Sequence, residues 1–168
     1  MSDRPPLWAV FGTIVAAPLF IALVIVYVPY TLSGWWFAPA FFGWVPSRWI
    51  GVALILIPIP VLLDFLARFV GEGHGTPMPM APPQRLVLGG SFRFVRNPAY
   101  LAAVVTLVGQ GLLFASVPIL IYAGAMLLVF HAFVVGYEEP RLRREFGAAY
   151  DAYCRRVLRW LPRIGRGD

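Results

Sequence analysis

The sequence predicts an all-α fold: an integral membrane helical bundle of about four transmembrane helices, with a cytoplasmic amphipathic helical cap at its C-terminal end. Three observations predict it. Of the 168 residues, 60% are hydrophobic and only 13% are charged, where a soluble domain carries about 25% charge. The apolar residues gather into runs long enough to cross a bilayer. The charges gather between and after those runs, and all 14 basic residues are arginine. The whole chain, residues 1–168, reads as one membrane domain.

The first run, residues 7–28, carries no charge and at ~1.5 Å per residue covers the hydrocarbon thickness of a bilayer. It is too long for the core of a cleaved signal, and no small-residue cleavage site follows it. The second run, residues 49–70, contains Pro58 and Pro60, which predict a bend. Asp64 and Arg68 stand four apart on one face of it and are expected to pair structurally. Residues 99–115 form the third run and residues 117–137 the fourth. The tight link at Ser116 and Pro118 makes these two an antiparallel hairpin. Gly109 and Gly111 suit close helix packing, and Gln110 between them can bond across helices.

Between the first two runs lies "PYTLSGWWFAPAFFGWVPSRW", rich in Trp and Phe. Amphipathic aromatics favour the membrane–water boundary, so residues 30–48 read as an interfacial segment on the outer side. Residues 71–98, "GEGHGTPMPMAPPQRLVLGGSFRFVRNP", are full of Gly and Pro. No regular helix or central strand tolerates that run, and a loop of this length is usually functional.

Arginine placement sets the orientation. Arg4 precedes the first run, Arg68, Arg85, Arg93 and Arg96 flank the long loop, and the tail 138–168 carries eight more. The positive-inside rule then puts both termini, the long loop and the tail in the cytoplasm. In that tail Leu142, Phe146, Ala149 and Tyr153 form one apolar stripe. Arg141, Arg143, Arg144, Arg155, Arg156 and Arg159 supply a basic remainder that suits an anionic leaflet. The net charge of +6 is therefore assigned to the membrane and not to nucleic acid. A lone Cys154 excludes an intrachain disulfide and a multi-cysteine metal site, and no metal is expected.

Two motifs separated by the hairpin carry the chemistry: "RNPAY" at 96–100 and "EEPRLRREFGAAYDAYCRRVLRWLP" at 138–162. Together with the Gly/Pro loop they resemble the isoprenylcysteine carboxyl methyltransferase and phospholipid methyltransferase superfamily. The resemblance covers roughly residues 71–162. Eukaryotic members tend to carry His where this chain has Asn97; bacterial-looking relatives carry the Asn, and a bacterial inner membrane is the expected location. What the resemblance implies is an integral membrane enzyme that takes S-adenosylmethionine (SAM) as methyl donor, without a Rossmann-type domain. Consistently, no G-x-G-x-x-G joins a strand to a helix here.

The residues suit that cofactor. Carboxylates accept hydrogen bonds from hydroxyl or amino groups, and arginine can hold a carboxylate at two points. The expected catalytic residues are Arg96, Asn97 and Glu139. Those expected to bind cofactor are His74, Tyr100, His131, Tyr137, Glu138, Glu139 and Arg141. His131 stands seven residues before Glu138 and so shares its face on a regular helix. Plainer readings stand beside these. The glutamates can simply open a tail helix, whose amino end favours negative charge, and Asn97 can cap the third helix. The acceptor is expected to be a lipid or lipophilic small molecule approaching through the bilayer, with carboxyl, amino and thiol groups all open. Rival readings are an NADPH-dependent membrane reductase related to sterol reductases, and a non-enzymatic membrane scaffold.

Overall fold

The structure is a computed structural model that describes residues 19–71, 86 and 88–162. Residues 7–18 of the first expected span, His74, the Arg68 side chain and most of the 71–98 loop lie outside the described residues. Every element among the described residues is helical, as expected. Helix α1 is Leu19–Ser33, α2 is Pro46–Leu56 and α3 is Pro58–Gly71. Helix α4 is Pro98–Leu113 and α5 is Val117–Phe133. A π-turn, Val134–Glu138, joins α5 to α6, Glu139–Phe146. Helix α7 is Ala148–Arg156.

Two helices are long and apolar enough to cross a bilayer, Pro46–Phe65 and Val117–Phe146; Leu19–Ser33 and Pro98–Leu113 are shorter apolar helices. Their outer faces are bare of protein. Ile121 and Leu128 on α5 and Trp49 on α2 are 68%, 70% and 73% exposed, an apolar exposure that a water-soluble surface rarely shows and that suits a lipid-facing one. Helix α4 is the centre of the bundle. It packs against α2, α3 and α5, and Ala102, Ala103, Val104, Leu107, Gly109 and Gly111 are buried along it.

The predicted close packing is found. A Cβ on Gly51 of α2 would stand 2.7 Å from the Gly109 carbonyl oxygen, and one on Gly109 would stand 2.8 Å from the Gly51 carbonyl oxygen. At the predicted bend the helix is interrupted at Ile57, before Pro58, while Ile57 keeps helical φ and ψ. The tight link at Ser116 is a turn in which Ala115 takes φ +52°. The Ser116 hydroxyl accepts from the Ile119 N–H, and the Ser116 N–H returns to Gly111 O at 2.9 Å.

Prolines shape α1 and the helix that begins at Val117 in the same way. A π-turn at Ala22–Tyr27 stands just before Pro29, with the Val28 N–H reaching Leu23 O. Proline has no N–H and its ring crowds the carbonyl four residues back, so widening the turn lets the helix continue. Two carbonyls lose their helical donors there, Val24 O and Ile25 O. Side chains of neighbouring helices replace them: Tyr122 Oη donates to Val24 O at 3.3 Å, and Gln110 Nε2 donates to Ile25 O at 2.8 Å. Inside a membrane such replacement is what makes an internal proline tolerable.

The second case corrects an expectation. The fourth helix does not stop at Tyr137. It runs on through the π-turn before Pro140 and ends at Phe146. At ~1.5 Å per residue its apolar part, residues 117–136, measures about 30 Å, and Glu138 and Glu139 stand just beyond it. The predicted tail stripe is corrected as well. Gly147, at φ +50°, ends α6 and resets the helical phase, so Tyr150 is buried while Ala149 is exposed.

Candidate functional site

The α4–α5 hairpin brings its two open ends together, as its topology predicts. Tyr100, in the first turn of α4, donates its hydroxyl to Glu138 Oε2 at 3.2 Å. Its ring stacks on Phe130 of α5, centroids 4.9 Å apart. "RNPAY" and the Glu pair therefore share one end of the bundle.

Glu139 is 3% exposed and ringed by arginines. Arg159 grips it at two points, Nε to Oε1 at 2.6 Å and Nη2 to Oε2 at 2.9 Å. Arg96 Nη1 lies 3.1 Å from Oε1, and Arg143 Nη2 lies 3.9 Å from Oε2. A buried carboxylate needs such compensation, because taking a charge out of water costs several kcal/mol.

The strand of chain after α7 is sewn to the start of α4. The Arg96 N–H donates to Leu158 O at 2.9 Å, and Asn97 Nδ2 donates to Arg159 O at 3.1 Å. Asn97 thus occupies the N-cap position of α4 without a side-chain cap bond; its amide holds the C-terminal segment. Tyr153 Oη donates to Phe92 O at 2.8 Å, and Arg96 Nη1 donates to Cys154 Sγ at 2.8 Å. Trp160 Nε1 donates to His131 Nδ1 at 3.0 Å.

The two glutamates are electrostatically unlike. Burial works against the Glu139 charge, but the Arg159 hydrogen bonds and the Arg96, Arg159 and Arg143 charges outweigh it and hold the carboxyl below its ordinary range. Burial pushes Glu138 upward, aided by the Glu139 charge and opposed by the Tyr100 hydrogen bond and by Arg141. Adjacent carboxyls with environments that separate them are a common basis for dividing roles in a site. The Arg96–Glu139–Arg159 group carries more positive than negative charge. Arg96 Nε is buried with no hydrogen-bond partner among the described residues.

Of the residues singled out from sequence, Arg96, Asn97, Tyr100, Glu138 and Glu139 come together. Tyr137 and Arg141 pair at the exposed edge, Arg141 Nη1 donating to Tyr137 Oη at 3.3 Å, with the Arg141 charge acting on Glu138. His131 was placed on the Glu138 face by α-helical spacing. The π-turn between them breaks that spacing, and the imidazole's partner is Trp160. His74 lies outside the described residues. Arg159, Arg143 and Trp160 were not singled out. Arg159 and Trp160 stand in "VLRWLP" and Arg143 in "EEPRLRREF", but eight arginines in the tail gave no means of choosing the one that grips Glu139.

A family model described as phospholipid methyltransferase matches residues 47–149. The chain belongs to the phospholipid methyltransferase family. No curated protein and no solved structure matches it. Membership and the apolar helices together support a membrane methyltransferase in general, and do not favour the NADPH-dependent reductase or the scaffold. Within this phospholipid methyltransferase family member the match takes in "RNPAY" and the Glu pair. It stops short of Arg159, the residue that grips Glu139 most closely.

Proposed function

We propose that the chain is a SAM-dependent methyltransferase of the bacterial inner membrane, acting on a lipid or lipophilic acceptor, with its site at the cytoplasmic end of the α4–α5 hairpin. In this reading the rods cross the bilayer four times and both termini face the cytoplasm, as the arginine distribution favours. One observation carries the reading: Arg96, Tyr100, Glu138 and the buried Glu139 with its Arg159 partner converge where the hairpin opens.

The residues fit the cofactor. Arg96 Nε, a buried donor without a partner among the described residues, beside an excess of positive charge, suits the cofactor's carboxylate. The Glu138 carboxyl suits its amino group or ribose hydroxyls. SAM, when bound, supplies a methyl group on a positively charged sulfur. Glu139 has both oxygens engaged by arginines, so it acts as a positioning residue that fixes Arg96, and direct contact falls to Glu138. Tyr100 orients Glu138. Holding donor and acceptor in line at a desolvated site is the main contribution left to the protein, worth on the order of 7–11 kcal/mol. A carboxylate acceptor needs no base; an amine must first lose a proton, which Glu138, with its raised affinity for protons, is placed to take.

Calorimetry in detergent tests the cofactor: Glu138→Gln should abolish SAM binding while helix content stays unchanged. Radiolabelled methyl transfer into a lipid extract tests the acceptor. Unaltered SAM affinity in the variant would sink the site assignment, and absence of transfer into any lipid fraction would sink the acceptor class.

A further inference from the structure

Helix α3 is apolar up to Asp64, and that carboxyl has a partner that spacing along the helix does not suggest. Asp64 Oδ2 accepts the Ser91 main-chain N–H at 2.7 Å, across 27 residues of chain. Ser91 lies in the 3-10 turn Gly90–Arg93. The first bond of that turn runs from the Phe92 N–H to Gly89 O at 3.2 Å. The Ser91 N–H therefore stands at the end of the turn whose donors need an outside acceptor, and an acidic side chain from a neighbouring helix supplies it.

The same turn is held from other sides. The Phe92 ring packs on Phe65, centroids 5.9 Å apart, and Phe92 O accepts the Tyr153 hydroxyl at 2.8 Å. From Ser91 the constraint passes to the site through main chain. Ser91 O accepts the Phe94 and Val95 N–H at 3.2 and 3.3 Å. Val95 is buried. The next residue is Arg96, whose own N–H is fixed on Leu158 O and whose guanidinium lies 3.1 Å from Glu139 Oε1. Asp64 thus tethers the residue from which the path of the chain into Arg96 is set. An ionisable residue near the end of an apolar span tends to be functional.

Resting on the SAM reading above, we infer that Asp64 is a positioning residue for Arg96, and through it for the carboxylate end of the cofactor. Without Asp64 the turn keeps Phe65 and Tyr153 but loses its main-chain tether. A guanidinium meets a carboxylate at two points only in a narrow geometry. A small shift of the main chain before Arg96 therefore costs affinity for that one group of the ligand.

The test is calorimetry of the full chain in detergent with two probes, SAM and decarboxylated SAM, which keeps the sulfonium, amino group and nucleoside and lacks the carboxylate. Wild type should favour SAM. Asp64→Leu, close in size and suited to an apolar helix, should lower SAM affinity about tenfold or more and leave decarboxylated SAM within about twofold. Asp64→Asn keeps an oxygen that can accept the Ser91 N–H and should recover most of the SAM affinity. An equal loss for both probes in Asp64→Leu means a structural role alone and overturns the inference. Unchanged SAM affinity, or an asparagine variant no better than the leucine one, overturns it too; in each case the SAM site stands. Wild type that binds both probes equally overturns the Arg96 assignment and this inference with it, and wild type that binds neither overturns the site reading as well. Should Asp64→Leu not fold, Asp64→Glu decides, since it keeps the charge and moves the acceptor by one methylene. A loss confined to SAM supports the tether, and an equal loss or none overturns it.

Discussion

The carboxylate of Glu139 meets the guanidinium of Arg159 at two points, 2.6 and 2.9 Å, across 20 residues of chain. Glu139 stands at the start of α6 and Arg159 beyond the end of α7, so this pair folds the tail back against the hairpin. Arg96 shares the same carboxylate from α4. Removing Arg159 leaves a buried charge with reduced compensation. Arg159→Ala should destabilise the protein by about 3 kcal/mol, read as a lowered melting temperature in detergent. Arg159→Lys should recover part of that loss, since an ammonium keeps the charge and gives up the two-point geometry.

Acid should attack the same pair. The Glu139 carboxyl is held below its ordinary range in the fold. Its stabilising effect is therefore complete above the unfolded value of about 4.3 and is lost as pH falls through the lower folded value. Glu138 is raised and acts in the opposite sense: its folded form favours the proton, so stability declines as pH rises from the unfolded value through the folded one. Melting curves from pH 3 to 8 should show a steep acid loss that Glu139→Gln removes. Glu138→Gln should keep that acid limb and raise stability at neutral pH.

The α2–α4 contact admits no side chain at Gly51 or Gly109. Their missing Cβ positions face main-chain atoms, Gly109 O and Leu113 N for Gly51, and Gly51 O for Gly109, which cannot swing aside as a side-chain end would. Gly51→Ala and Gly109→Ala should each cost about 1–3 kcal/mol, with the helices forced apart. Equilibrium unfolding in mixed micelles reads this directly, and wild-type stability in both variants would refute the contact.

Gln110→Leu keeps most of the volume and removes the donor to Ile25 O. The carbonyl freed by Pro29 is then without its side-chain partner, at a cost of about 1–2 kcal/mol for an interhelical bond in a membrane. Pairing it with Pro29→Ala, which returns an N–H to α1, should recover much of that loss. A double-mutant cycle with additive effects would show that glutamine and proline are not coupled.

Helical class, the hairpin and its turn at Ser116 were legible because apolar runs, Pro and Ser act locally. So was the small-residue contact, since Gly109 has no other evident use inside an apolar helix. The rod through Glu138 was not legible. Charge after a long apolar run looks like an exit, and a π-turn has no compositional signature beyond a proline two residues past its end. Within the site, "RNPAY" and the Glu pair could be found from their motifs. The division between them could not: whether a glutamate is free or consumed by arginines depends on where residues 157–162 return, and that path is set by Asn97 and the Arg96 main chain.

The closing of that tail has a consequence for biosynthesis. Every membrane rod is made before Arg159, so the helices enter the bilayer while the Glu139 carboxylate still lacks its tightest partner. On the proposed reading of the site, competence for methyl transfer is a late event, reached only when the last turns of polypeptide have emerged and docked, and a nascent chain halted before that point would be threaded but inert.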